Sequence, residues 1–102
     1  MSTFYLKVGD TSPILTQTLR NSAGEAINLA SATVLIRVIS VYGATVLTAS
    51  ATIDDATAGE ISYEFAGDLA VGTYRYEFEV TYSDSAVETF PNVGYNDLIV
   101  GP

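Results

Sequence analysis

The side chains that could do chemistry in this sequence are carboxylates, and little stands beside them. Twelve Asp and Glu are set against one Lys, three Arg, no His and no Cys. Without imidazole or thiol, the usual general base and the usual soft nucleophile are missing. Serine-based catalysis would have to borrow Lys7 or a carboxylate, and Lys7 lies in a strand-like segment with no accompanying motif. Paired carboxylates can cleave glycosidic bonds, which makes Glu77 and Glu79 the pair to weigh. They alternate along one strand pattern, so they belong on one water-facing surface and not across a cleft. Asp54 and Asp55, with Glu60 beyond them, could gather calcium together with loop carbonyls. Their spacing is not that of an EF-hand, and adjacent aspartates commonly open turns; the turn is the reading adopted. No glycine-rich loop leads into a helix to cradle phosphate. The chain reads as a binding protein without catalytic residues, cofactor or resident metal.

Charge narrows the partners. The formal net charge is −8, with Lys7, Arg20, Arg37 and Arg75 scattered along 102 residues. Nucleic-acid binders draw most of their affinity from clustered cations that neutralise phosphates, so nucleic acid is excluded as a partner. An anionic membrane surface is disfavoured for the same reason. Acidity of this size keeps a protein soluble at high copy number. The run from Ala30 to Thr52 has Arg37 as its only charge, yet it holds seven Ser or Thr and is broken by Gly43. A central Arg alone costs about 2.5–3.5 kcal/mol in a membrane helix, and no span is expected. The absence of cysteine points to folding in a reducing compartment. The start, Met1 to Lys7, lacks the basic segment and apolar core of an export signal.

The elements that must position any site are strands. Val, Ile, Thr, Tyr and Phe total 40 residues, against 20 for Leu, Glu, Lys, Gln, Arg and Met. Branched and aromatic side chains suit a pleated, half-buried surface. Strand patterns run Thr3 to Val8, Ile14 to Arg20, Thr33 to Tyr42, Thr45 to Ile53, Glu60 to Phe65, Thr73 to Tyr82, Ala86 to Phe90 and Asp97 to Gly101. Gly9-Asp10, Asn21 to Gly24, Gly43-Ala44, Asp54 to Gly59 and Ser83 to Ser85 punctuate them as turns. The sharpest alternation sets Tyr74, Tyr76, Phe78, Val80 and Tyr82 against Thr73, Arg75, Glu77, Glu79 and Thr81, a half-buried antiparallel strand. Seven or eight short strands in about 100 residues predict one domain, residues 1–102, folded as an immunoglobulin-like antiparallel β-sandwich.

Two local features refine this. Gly72-Thr73-Tyr74 enters the aromatic strand where immunoglobulin-like domains form a tyrosine corner, the hydroxyl returning to the backbone just upstream. Tyr76 then takes the place of the cysteine in antibody domains. In the Thr33 to Tyr42 pattern both faces are apolar. Val34, Ile36 and Val38 lie on one side, and Leu35, Ile39 and Val41 lie on the other with Arg37. Only one side of a two-layer sandwich can face the core. The second set is covered by a neighbouring segment or forms a contact with another molecule. The candidate interface is therefore Leu35, Arg37, Ile39 and Val41, with Tyr95 beside Gly94 as an exposed aromatic.

The order of several segments also carries a family resemblance. Leu6-Lys7-Val8-Gly9-Asp10-Thr11-Ser12-Pro13, Leu29-Ala30-Ser31-Ala32-Thr33-Val34, Gly72 to Thr81, and Thr89-Phe90-Pro91-Asn92-Val93-Gly94-Tyr95 together resemble the N-terminal immunoglobulin-like domain of tailed-phage baseplate upper proteins. The resemblance runs from Phe4 to Val100. It implies a bacteriophage virion structural protein, made in the bacterial cytoplasm, that binds a larger capsid, tail or baseplate protein in many copies. Because the chain stops at Pro102, a capsid-decoration, head-fibre or tail-adaptor role is expected over a full baseplate role. Self-association on the particle is a further option. The alternative is a carbohydrate- or receptor-binding module at the host surface.

Overall fold

The computed structural model describes residues 3–102; Met1 and Ser2, the start of the segment read for an export signal, lie outside them. Nine strands form, and no helix occurs among the described residues: β1 (Thr3–Lys7), β2 (Leu15–Thr18), β3 (Thr33–Ser40), β4 (Thr45–Ser50), β5 (Thr52–Asp55), β6 (Glu60–Tyr63), β7 (Gly72–Thr81), β8 (Val87–Phe90) and β9 (Asn96–Gly101). The larger sheet runs β1-β9-β7-β3-β4, with β8 also on β7, and the smaller runs β2-β6-β5. β8 and β9 lie end to end along the same flank of β7. β8 pairs with its C-terminal half and β9 with its N-terminal half. The protein is an all-β, immunoglobulin-like sandwich.

Alternation decides what lies between the sheets. From the larger sheet come Leu6, Val34, Ile36, Val38, Tyr76, Phe78, Val80, Phe90, Leu98 and Val100, all buried. The smaller sheet and its connections supply Leu15, Leu19, Leu29, Ile61 and Phe65. Ring packing works within each layer, with Tyr76 edge-on to Phe78 and Tyr63 edge-on to Phe65, and across the layers, where Phe4 of β1 stacks on Phe65 at 5.9 Å. At roughly 25 cal/mol per Å² of apolar surface, burial of this set is the main stabilising term in a chain that has no disulfide. One polar side chain joins the core: Asn96 on β9 donates its amide to Oε1 of Gln17 on β2 at 3.4 Å, linking the two sheets.

Three expectations change. The Thr45 to Ile53 pattern is two strands, because the chain hands over at Ala51 from β3 in one sheet to β6 in the other. Ala51 still donates its N–H to Val34 at 2.9 Å, and the next residue, Thr52, already pairs with Ser62. A continuous strand pattern does not say which neighbour each half will choose. The sheet is also not wholly antiparallel, since β1 and β9 run parallel. Nearly the whole chain separates them, so no hairpin dictates their direction. Finally, Asp54 and Asp55 belong to β5, and the turn occupies residues 56–59. Gly59 closes that turn at φ +68°, where a Cβ would stand 2.7 Å from the carbonyl oxygen of Ile27 and 3.0 Å from that of Leu19. Only glycine fits there.

Candidate functional site

The outer face of the larger sheet gathers the residues singled out above. On β3, Val34, Ile36 and Val38 point into the core, which turns Leu35, Arg37 and Ile39 outward, each half-buried. Register then sets their neighbours. Leu35 lies opposite Glu79, Arg37 opposite Glu77, and Ile39 opposite Arg75. Arg75 in turn faces Asp97 on β9 and carries the ring of Tyr95, 5.1 Å from the guanidinium carbon. Tyr5 on β1 faces Ile99 on β9, extending the same surface to the sheet's far side. Val41 lies just beyond β3, in the hairpin connection to β4, and is half-exposed. Leu35, Arg37 and Ile39 share one side of the sheet, with Tyr95 against Arg75 on that side and Val41 in the connection at the end of β3.

Glu77 and Glu79 are on the water-facing side, as alternation requires, but they do not simply face water. Arg37 donates from Nη1 to Oε1 of Glu77 at 3.0 Å and from Nη2 to Oε2 of Glu79 at 2.7 Å. The side chains of the trio are 28%, 15% and 26% exposed, so the group is partly withdrawn from solvent. Hydrogen bonds to Glu79 and then Glu77 hold the Arg37 guanidinium above its already high ordinary value. Both carboxylates are committed to one cation, an arrangement that fixes charge and does not ready an acid and a base on either side of a bond.

Sequence reasoning missed Arg75 and Asp97 as members of this surface, and it missed the Arg37–Glu77–Glu79 trio. Parity was available, because all three trio members alternate with core residues. What was missing was the knowledge that β3 lies beside β7. With the register in hand, the face contains Lys7, Arg37 and Arg75 together with Glu77, Glu79 and Asp97. Three cations balance three carboxylates. The one remaining cation and nine remaining acids lie off these outward strand positions, Asp10 bordering the face, where its N–H donates to the carbonyl oxygen of Lys7 at 3.0 Å.

The remaining candidates serve structure. The Tyr74 hydroxyl donates to the carbonyl oxygen of Ala70 at 2.7 Å, the geometry of a tyrosine corner, and a Cβ on Gly72 would stand 3.7 Å from the ring. Asp55 uses one carboxylate oxygen to accept from the Ala58 N–H and the Thr57 hydroxyl, each at 3.2 Å. Asp55 thereby pins the turn after β5, and among the described residues no three metal-ligating side chains come together. Behind Tyr95, the connection between β8 and β9 is tied down by Glu88, which accepts from Tyr82 Oη at 2.8 Å and Asn92 Nδ2 at 3.1 Å.

Two packed sheets, a tyrosine corner and an inter-sheet core define the class as a β-sandwich of immunoglobulin type. Among solved structures, the chain is similar to CopC from Methylosinus trichosporium OB3b, with a TM-score of 0.58 and 20% identity, covering 100% of this chain and 86% of that one. At that identity the similarity speaks for the fold. No family model and no curated protein matches the chain. The expectation of a virion role is corrected here: the whole-chain similarity is to CopC, not to a phage structural protein, and no comparison ties the chain to a capsid, tail or baseplate. The virion reading is dropped together with its host-surface alternative. The reason lies in what the motifs report. Strand alternation, turn spacing and a Gly-x-Tyr corner are demands of the sandwich itself, and one sandwich serves many functions.

Proposed function

We propose that this chain is a non-catalytic module that docks onto another protein through the outer face of its larger sheet. One observation carries the reading: the outward strand positions of that face are electrically balanced and partly apolar, in a chain whose net charge is −8. Protein interfaces are depleted of uncompensated charge at their centre and enriched in aromatic side chains and Arg. Tyr5, Tyr95, Leu35, Ile39, Ile99, Arg37 and Arg75 supply that composition. The acidic remainder keeps the free module soluble and discourages contact through other surfaces. The absence of His and Cys, and the locking of Glu77 and Glu79 onto Arg37, support binding over catalysis.

A photo-crosslinking side chain placed at Ile39 or Tyr5, compared with one at Thr18 on the outer face of the smaller sheet, tests this in the producing cell. One defined partner is expected at the first two positions and none at Thr18. Leu35→Lys should abolish the adduct while the protein stays folded, because the new ammonium lies opposite Glu79. Adducts at Thr18 alone, or adducts indifferent to Leu35→Lys, would overturn the proposal.

A further inference from the structure

A sheet edge is a row of backbone donors and acceptors waiting for a strand, and proteins normally guard it with charge, proline or brevity. β1 ends in Lys7, β5 carries Asp54 and Asp55, and β8 carries Glu88 and is followed by Pro91. β2 is four residues long, with Pro13 ahead of it and Arg20 behind. β4 is different. Six residues long and paired with β3 alone, it sits in a stretch with no Asp, Glu, Lys, Arg or Pro from Val38 to Ile53. A bulge at Val46 disturbs only its hairpin end.

The open groups on that edge can be read from the ladder. Ala51 donates to Val34 at 2.9 Å, and Leu35 pairs with Ser50, so Ala51, Ala49 and Leu47 direct their backbone groups toward β3. Thr48 and Ser50 direct theirs away from it. Leu47 and Ala49 on the core side of β4, and Ala51 and Ile53 where the chain passes into β5, pack against the core but remain partly exposed. The flank of the sandwich is left half-closed.

We infer that two copies of this chain pair antiparallel through β4, about a twofold axis at Thr48. A twofold axis normal to the sheet places each residue opposite one of the same face. Thr48 then meets Thr48 of the other copy through their outward N–H and C=O groups. Leu47 meets Ala49, large against small, and the second copy covers the half-closed flank. Val46 meets Ser50 on the outer side. The absence of charge selects a copy over a foreign strand: this acidic chain can approach itself closely only where it is neutral. A cationic segment would be drawn instead to the acids elsewhere on the surface. This inference is independent of docking through the outer face.

Sedimentation equilibrium from about 10 µM to about 1 mM should show a reversible monomer–dimer equilibrium. Amide exchange at Thr48 and Ser50 should slow as concentration rises, while Leu47, Ala49 and Ala51 stay protected throughout. Thr48→Pro removes an N–H that no strand within the chain uses, so the fold should survive and dimerisation should weaken by at least about tenfold. If Thr48→Pro fails to fold, Thr48→Lys places two like charges at the axis, and dimerisation should be lost at low salt and partly regained at high salt. A monomer across the whole range overturns the inference. So does a dimer indifferent to Thr48→Lys, or one lost only on Ile39→Lys; that last result would leave the outer-face reading standing.

Discussion

The Tyr74 hydroxyl lies 2.7 Å from the carbonyl oxygen of Ala70, four residues upstream, and so ties the entry of β7 to the connection that leads into it. The bond joins the longest strand of the sheet to a segment without regular structure of its own. Tyr74→Phe should keep the fold and cost about 1 kcal/mol, read as a lower midpoint in urea. An unchanged midpoint would mean that water satisfies Ala70 equally well.

Arg37 neutralises two carboxylates that register brings to its side. Arg37→Leu leaves Glu77 and Glu79 two residues apart on one face without a counter-charge, and should lower stability by about 1–2 kcal/mol. The triple replacement Arg37→Leu, Glu77→Gln, Glu79→Gln should recover most of that loss. If the triple variant is no better than the single one, packing of the arginine stem and not charge accounts for the effect.

Two tyrosines report on alkaline stability. Burial and then the Asp97 charge push Tyr76 up to about 12, and burial, the bond to Glu88 and its charge push Tyr82 up to about 12, from an ordinary 10.0. Below pH 10 both phenols are protonated whether the chain is folded or not, and their contribution is fully present. Between 10 and 12 the unfolded chain releases protons that the folded chain keeps, so stability falls as pH rises. Denaturation midpoints should be flat up to about pH 10 and then decline, and Tyr82→Phe should make this decline shallower. A flat profile through pH 12 would contradict the raised values of both phenols.

Gly59 tests the turn that joins β5 to β6. Gly59→Ala forces a left-handed residue and drives its Cβ toward two backbone carbonyls that cannot move independently. A loss of more than about 2 kcal/mol is expected, above the roughly 1–2 kcal/mol of an ordinary left-handed residue. The same replacement at Gly43, also at positive φ but with nothing within 4 Å, isolates the conformational part.

What the residues alone determined was the material of the fold. Branched and aromatic side chains at period two specify strands, and they specify which side of each strand is apolar. Val34, Ile36 and Val38 against Leu35, Arg37 and Ile39, or Tyr76, Phe78 and Val80 against Glu77 and Glu79, follow from alternation alone, because a pleated backbone sends successive side chains to opposite faces. The corner at Tyr74 was legible for a similar reason, since its bond is made within four residues. Tertiary structure alone decided the partners. Nothing in the run from Thr45 to Ile53 says that it leaves one sheet for the other at Ala51. Nothing in Arg37 says that residues 40 and 42 positions along will meet its two nitrogens. Strand pairing is chosen by the packing of the whole core, a sum over distant contacts that no local window contains. The balanced face on an acidic molecule emerges only once that choice has been made.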